Sequence, residues 1–462
     1  MATVLLTHSN HVYSDPKQAA KMQPYPPLQT ILAAAVLEQA GISVALFDPA
    51  LESPQEGFRA ALEFHHPALV VVCEDDFNFL SKMCLARNRE LAFWMARTAR
   101  ESGIETAVHG SDASDNVAAY LEAGFGSAMI GEVEETLLEL VQGRPMETIA
   151  GLAFRCERGV HRGVHRNSPR SLRKNLDSLP DPAWHLVDVE RYRAAWNEAH
   201  GKFSLNMASS RGCPYRCNWC AKPIYGSSYH VRSPRAVARE MRFLKYTYQP
   251  DQIWFADDIF ALSPRWTEEF ANAVESLDAR LPFKMQSRCD LMTRNTVGAL
   301  RRAGCHEVWM GAESGSQKIL DAMDKDIRVE DIHAARENLR RHGIRACFFL
   351  QFGYPGEGWN DIEATIRMIR ELQPEDIGVS VSYPLPGTKF HQIVSAEMGV
   401  KANWKDSSDL AMMFRGEFTT DFYRALSQAL HQEVSGASNL DEAWARVATL
   451  RGSASTELAM AG

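Results

Sequence analysis

Residues 210–222 read Ser-Arg-Gly-Cys-Pro-Tyr-Arg-Cys-Asn-Trp-Cys-Ala-Lys, and their three cysteines, Cys213, Cys217 and Cys220, have the spacing C-x3-C-x2-C. The alternating run at 203–209 just before them predicts a β-strand. In a β/α barrel, the chemistry lies in loops at the C-terminal ends of the strands. Three clustered thiolates can bind iron or zinc, and a closed site takes four protein ligands. Because no fourth Cys or His follows at finger spacing, the pattern predicts a metal site with one open position, although the spacing alone leaves a zinc site or unliganded thiols as alternatives.

The composition favours a globular protein of two or three domains. The chain has 462 residues, and its hydrophobic fraction of 45% is ample for buried cores. It has no run of about eighteen apolar residues, so no transmembrane helix is predicted. Nine cysteines, three of them clustered, fit a reducing compartment, and the N-terminus lacks a signal-peptide pattern, so a cytoplasmic location is predicted. A formal net charge of −8 argues against broad nucleic-acid binding.

The first third of the chain alternates short apolar runs with helical periodicity. Strands are predicted at 4–6, 44–47, 69–73, 106–109 and 127–130, and helices at 28–39, 54–64, 89–101, 115–123 and 132–141. Near-continuous apolar strands separated by helices predict a doubly wound parallel sheet. Ligands of such sheets lie beyond the carboxyl ends of the strands, here 7–10, 74–76 and 109–111. A dinucleotide site is excluded because no G-x-G-x-x-G opens the first helix.

The rest of the chain divides into a connector, a second α/β domain and a tail. Residues 146–200 lose periodicity and are predicted to be a linker with a solvated hairpin around His161 and His165. From 201 to 425, strands are predicted at 203–209, 252–256, 282–287, 306–311, 345–351 and 377–383, with helices between them. This alternation predicts a partial (β/α)6 barrel. Residues 426–462 are predicted to be a tail, disordered over its last, mostly small residues at 452–462.

Polar residues follow the predicted barrel strands. Asp257 and Asp258 come after the second strand, where adjacent carboxylates could bind an ammonium or hydroxyl groups. Arg288 follows the third strand, where its guanidinium could clamp a carboxylate. Glu313 follows the fourth strand, and the segment 351–357, Gln-Phe-Gly-Tyr-Pro-Gly-Glu, ends the fifth. Taken singly, each of these is better explained as a turn or a solvated rim residue.

Taken in order after the cysteine loop, these motifs resemble the radical SAM enzymes that carry a cobalamin-binding domain, a class that includes C-methyltransferases and the anaerobic magnesium-protoporphyrin monomethyl ester cyclase. The elements D-D-x-F, S-R-x-D, G-x-E-S-G-S and P-G-E are all present. The resemblance implies that Cys213, Cys217 and Cys220 hold a [4Fe-4S] cluster whose fourth iron is chelated by S-adenosylmethionine. It further implies an S-adenosylmethionine site formed by Trp219, Asp257, Asp258, Arg288, Glu313 and Gly353.

The segment 131–136, Gly-Glu-Val-Glu-Glu-Thr, and the long polar loop before residue 28 resemble the cobalamin-binding domain of these enzymes. The resemblance implies a Rossmann-like domain at 1–145 that binds cobalamin near Thr7, Gly110 and Gly131. The D-x-H-x-x-G motif is absent, so a cobalt without a histidine ligand below it is expected, and His8 is expected to be a plain hydrogen-bonding residue. The alternative is a flavodoxin-like domain that has lost its ligand.

The resemblance implies reductive cleavage of S-adenosylmethionine to a 5′-deoxyadenosyl radical, followed by methylation of an unactivated carbon in a small-molecule or natural-product substrate. Electrons would come from an external donor such as flavodoxin or ferredoxin. A cyclase or rearrangement enzyme with the same cofactors is the first alternative, and a non-catalytic cluster-bearing sensor is another. A transfer-RNA methylthiotransferase fits poorly, because residues 1–145 lack the three additional cluster cysteines of that family.

Overall fold

The computed structural model describes residues 3–156 and 163–460. The chain divides into two compact units: 1–214 with 222–258 and 403–408 in the first, and 215–221 with 259–402 and 409–462 in the second. Among the described residues, no helix has both the length and the apolar character needed to cross a bilayer. The domain boundaries given above stay predictions.

The first unit contains a seven-stranded sheet. Its strands are β1 Val4–Thr7, β2 Val44–Leu46, β3 Leu69–Cys73, β4 Glu105–His109, β5 Ser127–Met129, β6 Leu152–Cys156 and β7 Gly163–Arg166. They follow the order β2-β1-β3-β4-β5-β6-β7. The first five are parallel, with Leu5 opposite Val70 and Val71 opposite Ala107. The predicted doubly wound parallel sheet is therefore confirmed for these five strands.

The last two strands differ from the prediction. The segment expected to be a solvated hairpin in a linker instead extends the sheet, with β6 antiparallel to β5 and β7 antiparallel to β6. Ala128 lies opposite Ala153, and Leu152, Ala153 and Phe154 are buried. The backbone of β6 covers the otherwise open edge of β5, and its buried side chains add to the core. His165 lies in β7, and His161 falls outside the described residues.

Ten α-helices accompany the strands in the described part of the first unit. They are α1 Pro16–Lys21, α2 Leu28–Gln39, α3 Pro54–His65, α4 Phe79–Lys82, α5 Ala86–Glu101, α6 Ser111–Asp115, α7 Val117–Ala123, α8 Val133–Val141, α9 Val189–His200 and α10 Pro234–Thr247. One core packs α3, α5 and α7 on the sheet through Phe58, Met95 and Val117. A second core packs α2 and α8 through Leu37 and Leu137. Because separate helices supply the two cores, both faces of the sheet are covered, as in doubly wound folds.

Two helix predictions need correction. The helix predicted at 115–123 begins at Val117, and α6, which ends at Asp115 just before it, was not predicted. Helix α9 was not predicted, because it lies in the segment assigned to the linker. Asp188 caps its N-terminus by accepting from the backbone N–H of Arg191, and Tyr192 and Trp196 bury its apolar face.

The first unit also contains the start of the second sheet. Strands β8 Ser204–Met207 and β11 Gln252–Phe255 are parallel, and Leu205 lies opposite Ile253. Between them, β9 Ser210–Arg211 and β10 His230–Val231 form a short antiparallel pair. The cysteine loop starts directly after β9, and β9 closely follows the end of β8. The loop therefore lies near the C-terminal end of the first strand of the second sheet, as the barrel pattern predicts.

The second unit contains β12 Phe283–Ser287, β13 Cys305–Glu313, β14 Arg345–Phe352 and β15 Asp376–Val381, which pair in parallel in chain order. Its helices are α11 Pro264–Ser276, α12 Arg294–Ala303, α13 Gln317–Ala322, α14 Val329–Arg341, α15 Trp359–Leu372, α16 Lys389–Val394, α17 Thr420–Ser435 and α18 Leu440–Met460. The second sheet has six strands in all and forms a curled half-barrel, so the predicted α/β partial barrel is confirmed. Residues 452–460, which the sequence predicted to be disordered, form the last part of α18.

Candidate functional site

The start of the cysteine loop is fixed by a buried carboxylate. Asp257, just after β11, accepts hydrogen bonds from the hydroxyl of Ser209 at 2.6 Å, from its backbone N–H at 3.1 Å and from the hydroxyl of Ser210. Burial raises the pKa of Asp257 to about 6, although these hydrogen bonds oppose the shift. Gly212 follows with a φ of +78°, and a Cβ there would lie 2.5 Å from the carbonyl oxygen of Ser228. The chain can therefore turn into the loop only with glycine at this position.

The neighbouring carboxylate has a different partner. Asp258 forms an ion pair with Lys82, at the end of α4 in the same unit, and both side chains are partly exposed. The two adjacent aspartates, which the sequence groups together, thus have separate structural partners. Their assignment to the S-adenosylmethionine site stays a prediction.

Arg288 lies against the part of the cysteine loop that belongs to the second unit. Its guanidinium stacks on the ring of Tyr215 at 3.7 Å, and its Nη1 is 4.0 Å from Sγ of Cys217. It also donates to the carbonyl oxygens of Lys325 and Asp326, both at 2.9 Å, and to the carboxylate of Asp290. These contacts occupy all five N–H donors. The arginine is therefore held beside the cysteine loop, and its assignment to the S-adenosylmethionine site stays a prediction.

A buried ion pair lies beside Trp219. Nζ of Lys325 is 2.7 Å from Oε1 of Glu313 and 5.8 Å from the centre of the Trp219 indole. Glu313 has a left-handed φ of +59°, and a Cβ on Gly311 would fall 2.6 Å from both charged groups. The buried indole N–H of Trp219 has no hydrogen-bond partner. An unpaired buried donor next to fixed charges is the arrangement expected where a polar ligand binds.

Sequence analysis missed Lys325. It lies in Asp-Lys-Asp at 324–326, a pattern that reads as a solvated turn. Both flanking aspartates have left-handed backbones, with φ of 50° and 54°, and this turn directs the lysine inward. Burial alone would lower the pKa of Lys325, but the charges of Glu313 and Cys217 raise it above the usual value.

Gly353 lies at the end of β14 and has a φ of +73°. Its N–H donates to Oε2 of Glu357 at 2.5 Å, and a Cβ there would lie 2.9 Å from the Met412 side chain. The other oxygen of Glu357 is buried and has no hydrogen-bond partner. Burial raises the pKa of Glu357 to about 8, so this carboxyl group is largely protonated at neutral pH.

Glu357→Gln is expected to stabilise the protein at neutral and alkaline pH. The folded state holds a proton that the unfolded state releases above about pH 4.5, so the wild type loses stability as the pH rises from about 4.5 to 8. A glutamine keeps an acceptor for Gly353 and carries no titratable proton. The free energy of unfolding of the variant should exceed that of the wild type by roughly 3 kcal/mol at pH 7 and by almost nothing at pH 4. Urea unfolding at both pH values measures this, and an equal difference at both would contradict it.

The carboxyl edge of the seven-stranded sheet carries buried polar atoms without partners. They are Oγ of Ser9, Oε2 of Glu74, Oδ1 of Asp76 and Oγ of Ser81. Thr7 is buried at the end of β1, and Gly110 at the end of β4 has an extended, positive φ of 149°. A Cβ on Gly110 would lie 2.8 Å from Cβ of Glu74. Because buried polar atoms are normally paired, this edge fits a ligand with several hydrogen-bonding groups.

The two histidines after β1 are already engaged. Nε2 of His8 is 3.0 Å from Oδ1 of Asp48, and its Nδ1 accepts from the backbone N–H of Asn10 at 3.1 Å. Burial would lower the pKa of His8, but Asp48 raises it above the usual value. Nδ1 of His11 is 2.8 Å from the carbonyl oxygen of Pro49. Both ring nitrogens of His8 are therefore hydrogen-bonded, and a cobalt without a histidine ligand stays a prediction.

The cysteines fall into two environments. Cys213, Cys217 and Cys220 are partly exposed, whereas Cys289 and Cys305 are buried, and no cysteine forms a disulfide. Among the described residues, no three His, Cys, Asp or Glu side chains form a ready-made set of metal ligands. The chemistry of the donors nevertheless fits an iron–sulfur cluster, because the three thiols are partly exposed and one of them, Cys217, lies near the charges of Arg288 and Lys325, which would stabilise an anionic cluster.

Comparison with known proteins finds one family model and several curated relatives. Residues 207–369 match the family model described as the radical SAM superfamily. An uncharacterized methyltransferase of Pyrococcus horikoshii is 28% identical over 60% of this chain and 59% of its own. The anaerobic magnesium-protoporphyrin IX monomethyl ester cyclase of Synechocystis is 23% identical over 57% of this chain and 52% of its own. The chain thus spans little more than half the length of these relatives.

Two solved structures share the fold. The radical S-adenosylmethionine methyltransferase TsrM from Kitasatospora setae, with cobalamin and a [4Fe-4S] cluster bound, has a TM-score of 0.69 and 20% identity, covering 86% of this chain and 75% of its own. The cobalamin-dependent S-adenosylmethionine radical enzyme OxsB, with aqua-cobalamin and S-adenosylmethionine bound, has a TM-score of 0.73 and 15% identity, covering 94% and 67%. At these identities the likeness establishes the fold.

Proposed function

We propose, from the premise that this chain belongs to the radical SAM superfamily over residues 207–369, that it is a cobalamin-dependent radical SAM enzyme that methylates an unactivated carbon. One observation carries the proposal: a single chain combines a cysteine loop after the first strand of a half-barrel with a doubly wound sheet whose carboxyl edge has unsatisfied buried polar atoms. The cysteine loop suits an iron–sulfur cluster with one iron left open to a second ligand. The carboxyl edge of the sheet suits a large polar cofactor.

Two sites are proposed, one for the cluster with S-adenosylmethionine and one for cobalamin. Cys213, Cys217 and Cys220 would hold the cluster, and Arg288 and Lys325 would stabilise its negative charge from beside Cys217. When bound, the cluster supplies an electron to S-adenosylmethionine, and cobalamin supplies a methyl group.

Around S-adenosylmethionine, Trp219 offers an unpaired N–H, and Glu313 offers the charge of a fixed ion pair. Gly353 lacks a side chain where backbone approach to a ring is needed. The partly exposed Asp258 has a carboxylate that can reach a ligand, whereas Asp257 acts by holding the loop.

The carboxyl edge of the first sheet would hold cobalamin. Thr7, Gly110 and Gly131 lie at the ends of β1, β4 and β5, where a parallel sheet binds its ligand. Both ring nitrogens of His8 are hydrogen-bonded within the protein, so His8 is not proposed as a cobalt ligand.

The substrate is proposed to be a small molecule or natural product, and the reductant a flavodoxin or ferredoxin. A second function with the same cofactors, oxidative cyclisation, is favoured by the 23% identity to the magnesium-protoporphyrin cyclase of Synechocystis.

A methyl-transfer assay separates the two functions without a known substrate. The anaerobic enzyme, loaded with cluster and hydroxocobalamin, is reduced with titanium(III) citrate and given S-adenosylmethionine labelled in its methyl group. A methyltransferase should transfer label to the corrinoid and release S-adenosylhomocysteine in an equal amount. Formation of 5′-deoxyadenosine without labelled corrinoid would favour the cyclase function. The absence of both products would contradict a radical SAM enzyme.

A further inference from the structure

Arg211 connects two loops that the sequence does not link. It lies two residues before Cys213, and its Nη1 donates to Oε1 of Glu132 at 2.6 Å. The same guanidinium bonds both oxygens of Glu134, with Nη1 at 3.3 Å from Oε2 and Nη2 against Oε1. The three side chains are 4%, 7% and 2% exposed. The segment that holds both carboxylates follows β5 and begins at Gly131, where φ is +80°.

Further contacts complete this buried cluster. Nε2 of Gln29 donates to Oε1 of Glu134 at 3.0 Å, and the Tyr225 ring lies 5.5 Å from the Arg211 guanidinium. Gln29 also donates its backbone N–H to Oδ1 of Asp75, at the carboxyl edge of the first sheet. Burial opposes the charge of Glu134, but Arg211 lowers the pKa of this carboxyl group to about 2. The Glu134 carboxylate therefore carries its charge at neutral pH.

Such a cluster is a poor way to gain stability. Desolvating three charges costs nearly as much as their attraction returns, and an apolar trio of the same volume is often as stable or more stable. A buried ion pair does, however, fix the position of one segment against another, because each charge has only one low-energy arrangement. Glu135, the next residue, shows the contrast: it is half exposed and pairs with Arg170 and Arg173 on the surface.

We propose that Arg211, Glu132 and Glu134 are positioning residues that couple corrinoid binding to the cysteine loop. The inference rests on the proposed function, because it takes Gly131 as a corrinoid contact and Cys213 as a cluster ligand. A corrinoid that orders the segment after β5 also orders the carboxylates of Glu132 and Glu134. These carboxylates hold Arg211, which lies two residues before Cys213. Coupling of this kind is reciprocal, so the cluster must tighten corrinoid binding as much as the corrinoid favours the cluster-bound loop.

The test measures hydroxocobalamin affinity in two forms of the same protein. Equilibrium dialysis under anaerobic conditions gives the dissociation constant with the cluster present and after removal of iron by a chelator. The wild type should bind about tenfold more tightly with the cluster. In Glu134→Gln the ratio should fall close to one. Glu135→Gln, which removes a surface carboxylate one residue away, should keep the wild-type ratio.

Two outcomes separate this inference from the function on which it rests. If neither wild-type form binds the corrinoid, the proposed function fails. If both bind it equally, the coupling is overturned and the function stands. Arg211→Lys provides a second variant, because it keeps the charge but lacks the planar fork that bonds Glu132 and both oxygens of Glu134, and it should also lose the coupling. A lower melting temperature in either variant with an unchanged affinity ratio would show a purely structural role and contradict the inference.

Discussion

Replacing Cys213, Cys217 or Cys220 singly by alanine should abolish the iron–sulfur cluster and all cleavage of S-adenosylmethionine. Each thiolate is proposed to hold one iron, and two remaining ligands cannot retain a cluster through gel filtration. Anaerobically reconstituted wild type should contain about four irons per chain, and each variant less than about one. Iron and sulfide analysis, the broad visible absorption and 5′-deoxyadenosine release with dithionite all measure the loss.

Cys156→Ala and Cys305→Ala are the matched controls. Cys156 is partly exposed like the three loop cysteines, and Cys305 is buried in β13. Both variants should keep the iron content of the wild type. If a loop variant kept its full iron and its activity, the thiol concerned would not be a ligand, and the cluster assignment would fail.

Gly131→Phe should lose hydroxocobalamin binding by at least about tenfold and leave the cluster intact, a change of about 1.4 kcal/mol or more in binding free energy. A Cβ at Gly131 would meet nothing closer than 3.9 Å, so the side chain can begin there without a clash. A phenyl ring at the end of β5 would instead take space proposed for the corrinoid. Titration of the corrinoid absorbance into cluster-loaded protein gives the affinity.

Gly143→Phe controls for backbone strain. Gly143 has a φ of +74°, close to the +80° of Gly131, and nothing lies within 4 Å of its Cβ position. Both variants therefore carry the same left-handed penalty of about 1 kcal/mol or somewhat more. Only the first should lose the corrinoid. Equal losses in the two would assign the effect to strain, and no loss in either would remove Gly131 from the corrinoid site.

The regular parts of the fold were accessible from the sequence because their signal is local. The apolar runs at 69–73 and 345–351 became the strands Leu69–Cys73 and Arg345–Phe352, and the helix predicted at 28–39 has those bounds. Apolar periodicity reports burial directly, so such segments need no tertiary information. The hairpin strands β6 and β7 were missed as part of the sheet because their pairing depends on the open edge of β5, which lies outside their own sequence.

The sequence predicted which residues lie near the site, but it did not predict the hydrogen-bond partners of those residues. The motifs identified Arg288 and Asp257, but the sequence did not reveal that Arg288 has all its N–H groups occupied or that Asp257 holds the serines before the loop. Lys325 and Arg211 gave no signal, because a buried charge looks like a surface charge until its partner is located. Long-range ion pairs of this kind join segments that are far apart in the chain, which a single sequence does not encode visibly.

The central claim is that one chain holds both a cluster and a corrinoid, and the visible spectrum tests it most directly. The protein is reconstituted anaerobically with iron and sulfide, mixed with excess hydroxocobalamin and passed through a gel-filtration column. We expect corrinoid bands corresponding to about one cobalamin per chain on top of the broad absorption of about four irons. A cluster without corrinoid would contradict the two-cofactor enzyme and leave a radical SAM protein whose first sheet has lost its ligand.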